Sequence, residues 1–268
     1  MAATVKRKLS KTSIGYVTIG VILISLMTMI GASAFMRIKE IRVEGMSMYT
    51  PEEIVESSGL HPGDNLMFIN TANISQVIRG ELPFINEVKI TRKLPDTVLI
   101  EVAESTAAAS ISFYGELIII DSTGRVLARG PVADLTLPGV DTDNLVNIRG
   151  VEIDDAPLGS ILKPEFGTEL KLQYVQDILS VMEREGLIDD VSYLDVSNIV
   201  NVYFGYSGKY RVILGGRTNL RPSSLRQNLS RMPENIEQFE KTHPNTMAII
   251  NMSDESGAPK FTPTSNID

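Results

Sequence analysis

The chain has no cysteine, no tryptophan and only two histidines among its 268 residues. Without cysteine it can form no disulfide, no thiolate nucleophile and no cysteine-ligated zinc site. His61 and His243 each precede a proline, which is typical of loop positions. No Gly-x-Ser-x-Gly elbow, phosphate-binding loop or Gly-x-Gly-x-x-Gly motif occurs. The sequence therefore predicts no catalytic triad, no metal site and no cofactor.

Paired acidic residues keep one enzymatic class open, because a hydrolase of wall glycan needs only two carboxylates in a cleft. Three such pairs lie in segments typical of solvated helix ends or loops: Asp154 with Asp155, Glu183 with Glu185, and Asp189 with Asp190. We interpret them as surface acids and retain the hydrolase as an alternative. The run Asp141-Thr142-Asp143-Asn144 begins like a calcium-binding loop, but Leu145 and Val146 break the pattern.

Residues 12–36 form a stretch of 25 residues without a charge. As a helix it would be about 37 Å long, which exceeds the roughly 30 Å hydrocarbon core of a membrane. The sequence predicts one transmembrane helix here. Ala32-Ser33-Ala34 resembles a signal-peptidase site, but the apolar run is longer than a signal peptide needs, so we favour an uncleaved anchor.

The charges before this stretch predict its orientation. Residues 1–11 contain Lys6, Arg7, Lys8 and Lys11 and no acid, so they form a cytoplasmic tail by the positive-inside rule. Residues 37 onward then lie outside the cytoplasm, as in a single-pass type II protein of the cell membrane. The formal net charge is −8, and removing the four cations of residues 1–36 leaves −12 for this part. So negative a net charge disfavours nucleic acid as a partner, because nucleic acid is itself negatively charged.

The sequence pattern of residues 37–104 predicts a small unit with the order β-α-α-β-β. A strand ends at Gly45, and Thr50-Pro51-Glu52-Glu53 is a capping box that opens a helix ending near Gly59. A second helix ends at Pro83, and two strands of alternating polarity follow, joined by Leu94-Pro95-Asp96.

Residues 105–252 predict a β-rich domain with two helices, so that the whole chain is of the α+β class. Strand patterns occupy residues 116–121, 125–127, 193–196, 202–204, 210–214 and 246–252. One helix is predicted over residues 163–185, and another opens at Pro222 and breaks at Pro233. Residues 134–155 have too little periodicity to assign. Residues 253–268 are polar and predict a flexible C-terminal tail.

The first unit resembles the POTRA domain of the FtsQ/DivIB family of bacterial cell-division proteins. The residues that carry the likeness are Val43-Glu44-Gly45 and the run Val88-Lys89-Ile90-Thr91-Arg92-Lys93-Leu94-Pro95-Asp96-Thr97-Val98-Leu99-Ile100-Glu101-Val102. The second part resembles the β domain of the same family through the order of several short pieces: Leu117 to Leu127, Leu194-Asp195-Val196-Ser197, Val212-Ile213-Leu214-Gly215 and Ala248-Ile249-Ile250-Asn251-Met252. Two departures are that no proline follows Glu104 where the family has one, and that Asn251 stands where aspartate is usual.

The resemblance implies a non-enzymatic scaffold of the division septum that binds the FtsB/DivIC and FtsL pair and thereby influences the wall synthase. It also implies that the terminal strand is the docking edge for this partner. Carried over by position, the partner-binding residues are Met247, Ile249, Ile250, Asn251 and Met252. The sequence alone favours a paired inner strand with a buried face for residues 246–252, and only the resemblance points to a docking edge. Beside the wall hydrolase, a POTRA protein that handles secreted polypeptides remains a second alternative.

Overall fold

The structure, a computed structural model, describes residues 11–132, 135, 137, 139–216, 220–253 and 259–267. The chain divides into two compact units. The first comprises Met1–Ile78 with Glu87–Val102, and the second comprises Arg79–Asn86 with Ala103–Asp268. Helices and strands are mixed in the α+β manner predicted from the sequence. The domain limits predicted from the sequence remain predictions.

The first helix, α1 (Lys11–Phe35), covers nearly all of the uncharged stretch 12–36. Large apolar side chains between Tyr16 and Met27 are exposed on all sides of it. Within the described residues, no helix has both the length and the apolar character that a membrane crossing requires. The predicted span is therefore not confirmed. Residues 1–10 of the predicted cytoplasmic tail and the side chains of the alternative cleavage motif at 32–34 lie outside the described residues.

The order β-α-α-β-β predicted for the region after α1 is confirmed. Its elements are β1 (Glu40–Glu44), α2 (Pro51–Ser58), α3 (Thr71–Glu81), β2 (Ile85–Lys93) and β3 (Thr97–Glu104). The described strands pair in the order β1-β3-β2, with β1 parallel to β3. The core of this sheet and its helices is aliphatic and consists of Ile38, Ile54, Leu60, Leu66, Ile74, Ile78, Val98 and Ile100.

Both ends of α2 lie where the sequence predicts them. The Thr50 side chain accepts a hydrogen bond from the Glu53 N–H at 3.3 Å, and the Glu53 carboxylate accepts one from the Thr50 N–H at 2.7 Å. This reciprocal pair is the predicted capping box, and it lowers the pKa of the Glu53 carboxyl. Gly59 ends the helix in the left-handed conformation.

The second unit is built from eleven strands and two helices among its described residues. They are β4 (Ala109–Phe113), β5 (Glu116–Ile120), β6 (Val126–Pro131), β7 (Val146–Arg149), β8 (Ile153–Asp155), β9 (Lys163–Pro164), α4 (Glu169–Arg184), β10 (Val191–Asp195), β11 (Val202–Tyr206), β12 (Tyr210–Gly215), α5 (Pro222–Thr242), β13 (Ala248–Asn251) and β14 (Lys260–Pro263). Nine of these strands form one large sheet in the order β14-β13-β12-β11-β10-β7-β4-β5-β6.

One face of the large sheet is buried by the helices. Side chains of α4 and α5, among them Val175, Ile178, Leu225 and Leu229, belong to the same apolar cluster as alternate residues of the strands. On the strands these buried residues include Ile148, Leu194, Phe204, Val212 and Ile250. Next to these residues on β7, β10, β12 and β13, side chains point to the opposite face and are half-exposed or exposed, whereas Ser110 on β4, Ile119 on β5 and Leu127 on β6 are buried.

Three sequence-based assignments are corrected here. The helix predicted over 163–185 begins at Glu169, because β9 and a turn precede it. The helix predicted to break at Pro233 continues to Thr242, since Leu229, Met232 and Ile236 on either side of the proline are all buried against the sheet. That burial offsets the backbone hydrogen bond that proline cannot donate. The unassigned stretch 134–155 contains β7 and β8.

The left-handed glycine that ends β1 generates the first prediction. Gly45 has φ +88°, and a Cβ built there would lie 2.2 Å from the Val102 carbonyl oxygen. We expect Gly45→Ala to destabilise the first unit by about 1–3 kcal/mol or more, because strain and a clash with backbone combine. Gly63→Ala is the control, since Gly63 has φ +100° with no atom near the added Cβ. Hydrogen exchange of the β1 and β3 amides measures the difference, and equal protection in the two variants would contradict the prediction.

Candidate docking edge and open face of the large sheet

The strand predicted to be the docking edge is an inner strand. β13 lies between β12, to which it is parallel, and β14, to which it is antiparallel. The expectations that residues 246–252 form the last strand and that everything after them is a loose tail are therefore wrong. β14 is only four residues long, with a single apolar side chain, so it shows no recognisable periodicity.

The five predicted partner-binding residues divide between the two faces of the sheet. Ile250 and Met252 are buried in the core beneath the helices. Ile249 and Asn251 are half-buried on the opposite face, and Met247 is half-buried just before β13. Their role in binding a partner stays a prediction, and the structure leaves only Ile249 and Asn251 on the face away from the helices.

Asn251 also explains how β13 ends. Its side-chain Oδ1 accepts hydrogen bonds from the Ser253 N–H at 2.9 Å and the Ser253 hydroxyl at 2.6 Å. Such a turn satisfies backbone groups that the strand would otherwise leave unpaired and redirects the chain. The asparagine therefore has a local structural role in returning the chain towards β14.

A stack of three aromatic rings attaches β14 to α5. The Phe261 ring lies 4.7 Å from the Phe239 ring at an interplanar angle of 13°. The His243 ring lies 4.6 Å from the other face of Phe239 at 10°. Phe239 and Phe261 also pack against the buried cluster. This stack accounts for His243, which sequence reasoning placed in an ordinary loop, and it compensates for the shortness of β14.

The register shows which backbone groups of β14 point away from β13. Thr262 is paired with Ile249 and Lys260 with Asn251, while the Thr264 N–H donates to the Met247 carbonyl at 2.9 Å. In an antiparallel ladder this makes Thr262 and Lys260 the residues whose N–H and C=O groups bond to β13. The N–H and C=O of Phe261 therefore point outward, and no described strand pairs with that side.

The other edge of the large sheet is partly occupied. On β6 the Val126 N–H donates to the Ser160 carbonyl at 2.9 Å, and the Val126 carbonyl accepts from the Gly159 N–H at 2.8 Å. Both edge strands end in a proline, Pro131 on β6 and Pro263 on β14, so the missing N–H does not distinguish them. Because residues 159–160 cover part of the β6 edge, β14 is the better candidate of the two described edges for accepting another strand.

The face opposite the helices presents tyrosines with arginines stacked on them. The Arg149 guanidinium lies 4.3 Å from the Tyr193 ring centre, and the Arg211 guanidinium lies 5.1 Å from that of Tyr203. A Cβ on Gly205 would lie 2.5 Å from the Tyr193 ring, so the glycine lets that ring lie flat on the sheet. The buried Nε of Arg211 has no hydrogen-bond partner among the described residues. Tyrosine and arginine held in this way are typical of protein interfaces.

Asp195 fixes one of these tyrosines. Its carboxylate accepts the Tyr203 hydroxyl at 3.0 Å and the Ser197 N–H at 2.9 Å. Burial by itself would raise the pKa of the Asp195 carboxyl, but these hydrogen bonds and the Arg149 charge outweigh it and lower that pKa. Burial and Asp195 together raise the pKa of the Tyr203 hydroxyl. The tyrosine therefore stays a neutral donor at physiological pH.

Two further buried tyrosines connect the sheet to neighbouring acids. The Tyr210 hydroxyl donates to Glu240 on α5 at 2.8 Å, and the Tyr206 hydroxyl donates to Asp190 at 3.3 Å. Burial, reinforced by Asp190, raises the pKa of Tyr206 to about 12, and burial with Glu240 raises that of Tyr210. The hydrogen bond from Tyr210 lowers the pKa of Glu240.

Four of the six carboxylates considered for catalysis are engaged in structural interactions. Asp155 pairs with Lys163 at 3.6 Å, and Glu185 with Arg226 at 3.1 Å. Glu183 accepts the Ser122 hydroxyl, and Asp190 accepts that of Tyr206. Asp143, Asp189 and Asp190 also line an open surface depression of about 350 Å³. The described residues contain no group of three His, Asp or Glu side chains that could hold a metal ion.

Comparison with known proteins identifies the family that this chain resembles. A domain model described as "POTRA domain, FtsQ-type" matches residues 36–105, which include Gly45 and the β2–β3 hairpin. "Cell division protein FtsQ" of Anaeromyxobacter sp. (strain K) is 28% identical, over 61% of this chain and 69% of its own length. "Cell division protein DivIB" of Clostridium botulinum is 27% identical over 65% and 64%. That of Clostridium tetani is 23% identical over 75% and 72%. The chain is therefore similar to FtsQ and DivIB cell-division proteins, and its residues 36–105 match the POTRA domain of FtsQ type.

These matches extend well beyond the POTRA region, since they take in 61 to 75% of the chain. They cover about two thirds of each relative's length, from 64 to 72%. The POTRA domain followed by a β-rich region, predicted from the hairpin and the order of short strands, is thus confirmed. The aromatic stack and the tyrosine–arginine face were not found from sequence, because their partners are far apart along the chain.

The aromatic stack predicts how β14 is held. We expect Phe239→Leu to lower the free energy of opening β14 by about 1–2 kcal/mol, since it removes both ring–ring contacts while keeping an apolar side chain. Exchange of the Thr262 and Lys260 amides, which bond to β13, should then be roughly ten times faster. Phe166→Leu is the control, because Phe166 is almost fully exposed. Unchanged exchange at Thr262 would show that the stack does not hold the strand.

The raised pKa of Tyr206 predicts a loss of stability at alkaline pH. Its ordinary value is 10.0 and its folded value is about 12, so the neutral hydroxyl stabilises the fold below pH 10. This contribution is lost as the pH rises from about 10 to about 12. We expect the free energy of unfolding of Tyr206→Phe to fall less steeply over this interval than that of wild type. Denaturant titrations at several pH values measure it, with exposed Tyr114→Phe as the control; identical slopes for wild type and Tyr206→Phe would contradict it.

Proposed function

We propose that this protein is a non-enzymatic scaffold of bacterial cell division. It binds the FtsB/DivIC and FtsL pair outside the cytoplasm, at the septum, and through that pair it influences septal wall synthesis. The names of the relatives, "Cell division protein FtsQ" and "Cell division protein DivIB", support the cellular process. The likeness of the sequence to the family supports the choice of partner.

One observation carries this proposal. β14 ends a sheet of nine described strands with the N–H and C=O of Phe261 pointing outward, while the opposite edge at β6 is occupied by residues 159–160. An exposed edge of this kind can pair with an extended segment of another protein, which gains main-chain hydrogen bonds. The docking edge is accordingly β14 and not β13, to which the sequence-based prediction assigned it.

The tyrosine–arginine face supports binding on the same side of the unit. Ile249 and Asn251 lie on this face next to β14, and Arg211 faces Ile249 across the β12–β13 pair. A partner strand added to β14 would place its own alternate side chains on this continuation of the face. Two of the five residues first assigned to partner binding are thus adjacent to the edge proposed here.

The membrane anchor is part of the proposal. α1 has the length of a span, and the apolar side chains described between Tyr16 and Met27 surround it on every side. A helix that is apolar all round needs an apolar environment. With the basic residues of the N-terminal segment in the cytoplasm, the residues that follow α1 lie outside it.

The test compares two variants at the outward-facing position of β14. Phe261→Pro and Phe261→Ala both remove the aromatic side chain, but only proline also removes the outward N–H. We expect the proline variant to bind the FtsB/DivIC–FtsL pair about tenfold more weakly than the alanine variant, since a backbone hydrogen bond contributes about 1 kcal/mol and the ring adds steric conflict. Binding is measured by calorimetry with the full chain in nanodiscs.

Hydrogen exchange at Thr262 serves as the internal control, because both variants must keep β14 paired with β13 to the same degree. Equal affinity of the two variants would show that the partner does not use this edge. Failure of wild type to bind would show that the partner itself is wrong.

A further inference from the structure

The first unit exposes its apolar side chains mainly at one end, the end at which α1 leaves it. Met67 is 51% exposed and Phe68 is 76% exposed, in a turn after α2. This turn is held against the residues that follow α1: the Leu66 N–H donates to the Met36 carbonyl at 2.8 Å, and the Arg37 guanidinium donates to the Gly63 carbonyl at 3.0 Å. Two residues of extended chain span about 7 Å at most, so the turn lies close to the end of α1.

Another exposed apolar residue lies at the same end, in a different turn. Leu94, 63% exposed, lies between β2 and β3. The Asp96 carbonyl in that turn accepts the Lys39 N–H at 2.8 Å, and the Asp96 carboxylate pairs with the Lys39 ammonium at 2.8 Å. The Arg92 guanidinium donates to the Ile69 carbonyl at 2.7 Å and so connects the two turns. Met67, Phe68 and Leu94 together are called the apolar tip.

The charges around the apolar tip are mainly positive. Arg37, Arg92 and Lys93 are exposed beside it. Of the acids nearby, Asp96 pairs with Lys39 and Glu40 with Arg42 at 2.7 Å, while the Asp64 carboxylate accepts the His61 N–H at 2.8 Å. This end therefore contrasts with the chain as a whole, which carries a net charge of −8.

We propose that the apolar tip inserts into the headgroup region of the bilayer around α1, with Arg37, Arg92 and Lys93 against anionic lipid headgroups. The proposal rests on the anchor function proposed for α1. Phe35, the last residue of α1, is apolar and 83% exposed, so it continues the same surface. Aromatic and apolar side chains flanked by cations are the combination that interfacial membrane contact requires. The insertion attaches the first unit to the membrane at three points and restricts its tilt.

The absence of cysteine makes the test direct, because a single introduced cysteine is the only site for a thiol-reactive fluorophore. Three single variants are compared in the full chain: Leu23→Cys in α1, Met67→Cys in the apolar tip, and Phe166→Cys in the second unit as the control. Each is reconstituted in vesicles of phosphatidylethanolamine and phosphatidylglycerol that carry a nitroxide either at the headgroup or deep in the acyl chain.

We expect the deep nitroxide to quench the label at position 23, the headgroup nitroxide to quench the label at position 67, and neither to quench the label at position 166. Adding Phe68→Ser and Leu94→Ser to Met67→Cys should abolish the quenching at position 67. Both serines replace exposed side chains, so the core of the unit is unaffected.

Quenching at position 23 together with none at position 67 would overturn the proposed insertion and leave the anchor intact. Quenching at position 67 that persists with both serines would also overturn it, since the apolar tip would not be the cause. No quenching at position 23 would show that α1 is not in the bilayer, and the anchor and the insertion would fall together.

Discussion

The burial of one face of the large sheet by α4 and α5 is the constraint on which the second unit depends. A wide sheet has two faces. Among the described elements, the chain places apolar helices against only one of them. Alternation along each strand then directs the remaining side chains to the opposite face. The tyrosines, the arginines stacked on them and the glycine beneath Tyr193 are therefore on a face that stays accessible to a partner.

The same sheet determines where another strand can be added. A wide sheet that does not close on itself must end in two edges, and each edge presents unpaired backbone groups. At β6 the chain covers part of its own edge with residues 159–160. At β14 it holds a short strand in place through ring stacking on α5, leaving the outer side of that strand unpaired by any described strand. The fold thus distinguishes one edge from the other.

Much of the first unit could be predicted from sequence, because its signals are local. The capping box at Thr50, the left-handed Gly59 and the alternating hairpin each depend on residues within a few positions of one another. The edge strand could not be predicted in the same way. β14 has one apolar residue in four, and that residue stacks on Phe239, more than twenty residues earlier. The expectation that β13 is the last strand follows from its being the last strongly periodic segment.

The sequence by itself determined the elements whose hydrogen bonds and apolar periodicity are local, and with them the class of fold. Only the tertiary structure decided which strand is the edge, why α5 passes through Pro233, and how Tyr193 and Tyr203 come to support arginines from other strands. These features arise from contacts between residues far apart in the chain. The free energy with which these contacts stabilise the structure depends on residues that only the fold brings together. It therefore cannot be inferred from a short stretch of sequence.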